Sequence, residues 1–257
     1  MDLTQDRGTI SVVGIGPGML DQMTEAARQA IGDADVILGY AAYLRLIDGL
    51  AMATPREASG MREEVARASR AIELAEAGQA VVLVSGGDPG VYGMAGLVYE
   101  VLHQRGEPSV SVTVVPGISA LNAAAALLGA PLMTDFCAVS LSDQLVPLDE
   151  ILHRVSLAAQ AGFVICLYNP KGRKRTEPFR GACEILARHL PPETPVGIVR
   201  AAYREEQTTT LTTLAELPSA TVDMLTTVVI GSERTYVAHG RMVTRRGYQS
   251  KYDLGVI

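Results

Sequence analysis

Apolar and polar positions along this chain fall into blocks of two kinds. Short aliphatic runs, Thr9 to Gly16, Ala34 to Tyr40, Ala80 to Gly87 and Val110 to Gly117, hold at most one charged residue each and close on glycine or another turn former. Runs of this kind predict strands buried on both faces, as in a parallel sheet. Between them the period changes. From Gly60 to Gly78, Met61, Val65, Ala68, Ile72 and Ala75 recur at spacings of four and three, which predicts a helix with one apolar stripe against an Arg/Glu face, ended by Gly78. The β-α-β alternation predicts right-handed crossovers and a parallel sheet covered by helices, an α/β fold.

A helical Ala/Leu segment, Ser119 to Leu128, precedes a second series of strands: Phe136 to Asp143, Phe163 to Pro170 and Thr194 to Ala202. Gln207 to Leu214 and Thr226 to Ser232 follow with little helix between them, which predicts antiparallel strands closing a mixed sheet. The expected division is an N-terminal parallel α/β domain, residues 1–116, and a C-terminal mixed α/β domain, residues 117–257. Net charge differs across it, −7 in the first part and +1 in the second. The second part is therefore the better host for an anion.

The chain has 257 residues, 48% of them hydrophobic, enough for packed cores without covalent staples. A net charge of −6 gives no electrostatic footprint for nucleic acid or an anionic membrane. The three cysteines, Cys137, Cys166 and Cys183, are widely spaced and form no C-x-x-C pair, so buried free thiols in a reducing cytoplasm are expected. The four histidines stand singly, and no metal site is expected. Asp2, Asp6 and Arg7 precede a short first apolar run, unlike a signal peptide. The window from Ile118 to Met133 stops short of the roughly 20 residues of a membrane span. A cytoplasmic protein is expected.

Three of the strands run into glycine turns: GIGPG (Gly14 to Gly18), SGGDPG (Ser85 to Gly90) and VPGIS (Val115 to Ser119). In an open α/β sheet the carboxyl ends of the strands are where ligands bind. One reading is that the glycines make tight turns and let helices pack; the other is a ligand crevice. A dinucleotide would suit G-x-G-x-G, but it also needs an acid at the end of the second strand, where Gly39 and Tyr40 stand. No Lys or Arg occurs between Ile10 and Gln22, between Ile72 and Gln104, or from Gly106 to His153. Cation-free loops with one acid, Asp88, suit a ligand with a sulfonium charge and no phosphate, such as S-adenosylmethionine.

Taken together, GIGPG, SGGDPGVYG, PGISA (Pro116 to Ala120) and LYNP (Leu167 to Pro170) resemble the tetrapyrrole methylases, the two-domain S-adenosylmethionine enzymes of sirohaem and cobalamin synthesis. Asp135 to Asp143, Pro191 to Glu205 and Val222 to Ser232 are similar to the branch that methylates precorrin-3B at carbon 17 with ring contraction to precorrin-4. The resemblance implies a homodimer with its active site in the cleft between the domains. It implies that the cofactor, released as S-adenosylhomocysteine, is held by Pro17, Gly86, Gly87, Asp88, Val91, Tyr92, Ser119 and Ala120, and by Tyr168, Asn169, Ala202 and Thr227. Where the family commonly has Asp after GPG, this chain has Met19.

Such a reaction needs donor and acceptor held in line, with water kept out by apolar side chains such as Met19, Val91 and Leu141. Ring contraction also needs a proton removed from a hydroxyl. Asp143, in the Ser140-Leu141-Ser142-Asp143 turn, is either that general base or the cap of the helix around Leu148. The precorrin substrate carries many carboxylates. The run Lys171 to Arg180 holds five cations and is either a rim for them or a solvated face. Ser142, Lys171, Arg173 and Arg204 are the expected substrate contacts, with Arg200 a further candidate. Tyr40 and Tyr43 either stack on a flat macrocycle or pack in the core.

Overall fold

Each apolar run read as a strand contains one in the computed structural model, which describes residues 8–106, 110–172 and 174–253, and the Ala/Leu segment is helical. The chain divides into two compact units, Met1–Ala120 and Leu121–Ile257.

The first unit runs β1 (Thr9–Gly14), α1 (Glu25–Gly32), β2 (Val36–Tyr40), α2 (Ala41–Arg45), β3 (Arg56–Ser59), α3 (Glu64–Glu76), β4 (Ala80–Ser85), α4 (Met94–Arg105) and β5 (Ser111–Val115). Its sheet has the order β3-β2-β4-β1-β5 with every pair parallel. All five carboxyl ends therefore lie along one edge. The continuous apolar runs are explained by the two cores. Ile10, Val12, Val36, Leu38, Val81 and Leu83 point to one face, under α3 and α4. Val13, Ile37, Val82 and Val84 point to the other, under α1 and α2.

Two expectations need correction here. The polar strand β3, half-buried at the sheet edge, has no apolar run to announce it. The stripe on α3 also runs differently. The helix begins only at Glu64, so Met61 lies outside it, and Val65 in the first turn is exposed. The inner face is Arg67, Ala68, Ala71, Ile72 and Ala75. An arginine assigned to the polar face is buried.

The second unit runs α5 (Ala120–Leu128), β6 (Gly129–Ala130), β7 (Phe136–Ser140), α6 (Leu148–Gln160), β8 (Val164–Tyr168), α7 (Glu177–His189), β9 (Pro195–Arg200), β10 (Thr208–Thr213), β11 (Thr226–Ile230), β12 (Thr235–Ala238) and β13 (Arg241–Thr244). Its main sheet has the order β10-β9-β11-β8-β7. β7 and β8 are parallel, while β11 is antiparallel to both β8 and β9, and β10 to β9. The expected mixed sheet is thus observed. The hairpin of β12 and β13, joined in parallel by β6, forms a small sheet absent from the sequence reading. The helices α6 and α7 cover one face of the main sheet, and α5 covers the other through Leu121, Ala124 and Leu128.

Candidate functional site: glycine turns and strand ends

In the first sheet β4, β1 and β5 are neighbours, so the three glycine turns that follow them meet. They are tied together by their own main chain. Gly16 N donates to Gly87 O at 3.1 Å and Gly87 N donates to Gly16 O at 2.8 Å. Both glycines have left-handed φ, +71° and +67°, a conformation that costs other residues strain. Asp88 joins the third turn: Oδ2 accepts from Gly117 N at 3.1 Å, and Oδ1 accepts from Gly90 N at 2.8 Å. A Cβ on Gly117 would stand 2.2 Å from Gly87 O, and one on Gly14 would stand 2.7 Å from Gly117 N. Only glycine lets these backbones come so close.

This knit decides the chemistry. A pyrophosphate is held by free main-chain N–H groups at such a turn, but here the N–H groups of Gly16, Gly87 and Gly117 are already bonded within the protein. Asp35, the acid near the second strand, lies at the opposite edge, where Oδ2 accepts from Ala80 N at the start of β4. The dinucleotide reading loses both supports. The three glycine turns present instead a close surface whose one charged side chain is the Asp88 carboxylate, and this fits a sulfonium nucleoside.

Around the knit, Pro17 and Ser119 are buried, Gly86, Gly87, Asp88, Val91 and Ala120 are half-buried, and Tyr92 is exposed with φ +54°. Met19 is exposed. The ring of Tyr43 lies against Gly86, where a Cβ would be 2.7 Å from Cζ. It also meets Tyr40 edge to face, with centroids 5.4 Å apart, so the two tyrosines pack on each other.

In the second unit the ends of β7, β8 and β9 and the start of β11 share one edge. Tyr168 caps α5, its hydroxyl accepting from Leu121 N at 2.8 Å. Asn169, with φ +52°, donates from Nδ2 to Ser140 Oγ at 3.0 Å, and Ser142 N donates to the same oxygen at 3.2 Å. Ala201 and Tyr203 flank the half-buried Ala202, and both also have left-handed φ, at 49° and 54°. Thr227 is buried on β11. Left-handed non-glycine residues are costly; of the seven among the described residues, Tyr92, Asn169, Ala201 and Tyr203 sit at or beside expected cofactor positions, whereas Ala51, Arg62 and His239 do not.

Arg175, which the sequence reading counted only as part of a basic run, is turned inward. Nη1 donates to Leu141 O, Nη2 donates to Asn169 O at 2.8 Å, and Nε lies 3.7 Å from Asp143 Oδ1. It pins the β7 and β8 loops together. Asp143 does not cap α6, whose cap position is Pro147. Its Oδ1 is buried and accepts no hydrogen bond, an open acceptor beside the guanidinium. Leu141 is fully buried in the core of its unit, so it cannot line a pocket.

The basic run is less available than its sequence suggests. Arg180 is paired with Glu177 and Glu184 on the surface of α7. Arg173 lies outside the described residues. Lys171 is half-buried at a depression shared with Thr176, Phe179 and Glu184. Arg204 is half-buried, with its N–H closing a turn onto Ala201 O at 3.0 Å. Arg200 is engaged by Asp223, 2.8 Å from Nε to Oδ2. Burial pushes the Asp223 carboxyl up, but hydrogen bonds from Arg200, Thr226 and Leu225 N outweigh it and hold the pKa below the ordinary aspartate value.

All three cysteines are free. Burial pushes the Cys166 thiol up to about 12 and Cys183 up to about 11, which favours the protonated thiol over the reactive thiolate. Among the described residues no three His, Cys, Asp or Glu side chains cluster as metal ligands, and no helix is long and apolar enough to cross a membrane.

Comparison with solved structures defines the class first: the architecture is that of a methyltransferase. A crystal structure of the methyltransferase CobJ superposes with a TM-score of 0.86 at 35% identity, covering 93% of this chain and 100% of that one. The fold also matches a cobalt precorrin-4 methyltransferase, with a TM-score of 0.72 over 87% of this chain and 94% of the other. The sequence model for the tetrapyrrole (corrin/porphyrin) methylases matches residues 9–218, and the chain belongs to that family.

Among its relatives, a probable cobalt-factor III C(17)-methyltransferase of Salmonella typhimurium is 44% identical over 93% of this chain and 99% of its own length. A precorrin-3B C(17)-methyltransferase of Sinorhizobium sp. is 43% identical over 93% of each chain. A cobalt-factor III methyltransferase of Priestia megaterium is 47% identical over 96% of this chain, which spans about half, 46%, of that protein.

Proposed function

We propose that this chain methylates carbon 17 of precorrin-3B or of cobalt-factor III, the substrates its relatives are named for, in cobalamin biosynthesis, and that ring contraction accompanies the transfer, toward precorrin-4 in the case of precorrin-3B. The observation that carries this reading is the likeness, over nearly the full length of both chains, to the Salmonella and Sinorhizobium relatives. S-adenosylmethionine supplies the methyl group on a sulfonium that is already a good leaving group. The protein's task is then to orient the reactants and exclude water, and proximity of this kind is worth roughly 7–11 kcal/mol of barrier.

In this proposal Pro17, Gly86, Gly87, Asp88, Val91, Tyr92, Ser119 and Ala120 hold the cofactor, along with Tyr168, Asn169, Ala202 and Thr227. The knit of the glycine turns supports the first set, because it fixes their backbones closely against one another where three parallel strands end. The left-handed backbone at Asn169 and Ala201 supports the second. Ser142, Lys171, Arg173 and Arg204 meet the tetrapyrrole and its carboxylates. With precorrin-3B, Asp143, whose side chain is 28% exposed beside Arg175, accepts the hydroxyl proton whose removal accompanies ring contraction. A homodimer and a cytoplasmic location belong to the same proposal; light scattering tests the first.

The decisive experiment is anaerobic incubation with S-adenosylmethionine and, separately, precorrin-3B and cobalt-factor III, followed by mass spectrometry and NMR of the macrocycle. The expected product carries one new methyl at carbon 17 of a contracted ring, with S-adenosylhomocysteine released. A methyl on another carbon would overturn the assignment. No S-adenosylhomocysteine with either substrate would point to a carrier that keeps the fold without turnover.

A further inference from the structure

The carboxyl edge of the first sheet holds a cation that its glycine turns lack. Arg67, on the inner face of α3, is only 6% exposed. Nη1 donates to Ser59 Oγ at the end of β3, and that hydroxyl donates to Gly39 O near the end of β2 at 3.3 Å. Nε is buried and makes no hydrogen bond. Among the described residues no carboxylate lies within ion-pair distance of the guanidinium. The two acids closest in sequence are occupied elsewhere: Glu63 accepts from Gly60 N at 2.6 Å, and Glu64 accepts from Arg62 N at 3.2 Å.

An arginine stays charged throughout the physiological range, and a buried charge without a partner is unfavourable. Burial lowers the Arg67 pKa from the usual arginine range, opposed by Glu64, Tyr43, Glu63 and Tyr40. The place is also informative. Ser59 and Gly39, to which Arg67 is tied, stand at the carboxyl ends of β3 and β2, and Tyr43, just beyond β2, packs on Gly86 in the glycine turn. The arginine thus belongs to the rim where the strand ends meet, rather than to the outer surface of α3.

We propose that Arg67 binds a ligand carboxylate at this edge, the anion that the protein itself does not supply. The inference rests on the proposed function, in which both ligands carry carboxylates: the amino-acid tail of S-adenosylmethionine and the side chains of the tetrapyrrole. A guanidinium with one nitrogen given to Ser59 keeps further donors for such a group.

The test is calorimetry on the full chain as wild type, Arg67→Met and Arg67→Lys. The probes are S-adenosylhomocysteine, cobalt-factor III, and 5′-methylthioadenosine, which keeps the thioether and adenosine but lacks the carboxylate. Methionine removes the charge at similar length, so Arg67→Met should melt no lower than wild type without ligand.

If the cofactor supplies the anion, Arg67→Met weakens S-adenosylhomocysteine by about 10- to 100-fold and leaves 5′-methylthioadenosine unchanged. If the tetrapyrrole supplies it, cobalt-factor III weakens by the same factor and S-adenosylhomocysteine does not. In either case Arg67→Lys recovers part of the loss.

Unchanged affinity for both carboxylate ligands in Arg67→Met overturns the inference. So does an equal loss for all three probes with a lower melting temperature, which would make Arg67 a support for Ser59 and the strand ends. If wild type binds neither S-adenosylhomocysteine nor cobalt-factor III, the proposed function itself fails and this inference fails with it.

Discussion

Gly117→Ala places a methyl group in the most crowded point of the glycine knit. Its Cβ would stand 2.2 Å from Gly87 O and 2.8 Å from Gly14 C and O, against ordinary contact beginning near 3.4 Å. One turn must therefore retreat by about 1 Å. The bonds in the way are Gly16 N to Gly87 O, Gly87 N to Gly16 O, and Gly117 N to Asp88 Oδ2. At about 0.5–1.5 kcal/mol net for each, their loss amounts to roughly 2–4 kcal/mol. Replacing glycine also stiffens the unfolded chain, which returns about 0.4–1 kcal/mol. The expected net loss is about 1–3 kcal/mol, or a fall in Tm of roughly 4–12 °C for a unit of this size.

Gly96→Ala is the matched control. Gly96 is exposed in α4, and no atom lies within 4 Å of its added Cβ, so the same chemical change should stabilise by about 0.5–1 kcal/mol. Urea denaturation followed by circular dichroism reads both stabilities, and calorimetry with S-adenosylhomocysteine reads the site. We expect Gly117→Ala to weaken binding by about tenfold or more, since 1.4 kcal/mol of distortion suffices, and Gly96→Ala to leave it unchanged. Wild-type stability and affinity in Gly117→Ala would refute the claim that close approach is what these glycines provide. Equal damage from Gly96→Ala would show a general intolerance instead.

Asp88→Ala removes the acceptor of two backbone N–H groups; we expect a loss of about 1–3 kcal/mol and weaker S-adenosylhomocysteine binding, and undiminished affinity would displace the cofactor from this turn. Arg175→Met frees Leu141 O and Asn169 O and strands Asp143. This should cost about 2–3 kcal/mol in urea unfolding and lower turnover further than stability alone explains, while Arg175→Lys should retain part of both. Because the folded pKa of Asp223 lies below its unfolded value of 3.8, its contribution is present above that value and lost as pH falls through the folded one. Asp223→Asn should therefore unfold less steeply with acid below about pH 4 than wild type does, and superimposable acid titrations would contradict the assignment.

The long strands of both units were legible because burial on two faces requires continuous apolar runs. Ile10 to Val13 and Val81 to Val84 have no solvent side on which a polar residue could sit. The polar strand β3 and the hairpin β12–β13 were not, since half-exposed strands at an edge owe their existence to the neighbour they pair with. The glycine turns were legible as a set, but their mutual hydrogen bonds were not: Gly16 and Gly87 are far apart in the chain and meet only because β1 and β4 are adjacent.

Arg67 shows how the same local signal can carry opposite meanings. It stands four residues before Ala71 and eight before Ala75, so helical spacing alone places it on the inner face. Its charge argued for the outer one, and the helix phase prevailed. Arg175 likewise read only as one of a basic run, a substrate rim or a solvated face, and Asp143 as a base or a cap, until the β7 and β8 loops brought them within 3.7 Å.

What the sequence by itself determined was the succession of buried strands, the neutral glycine turns and the family, because each depends on residues close together in the chain. What only the tertiary structure decided was which groups are already bonded and which remain open. A hydrogen bond or a buried charge is defined by neighbours in space, and strand order, not chain order, chooses them.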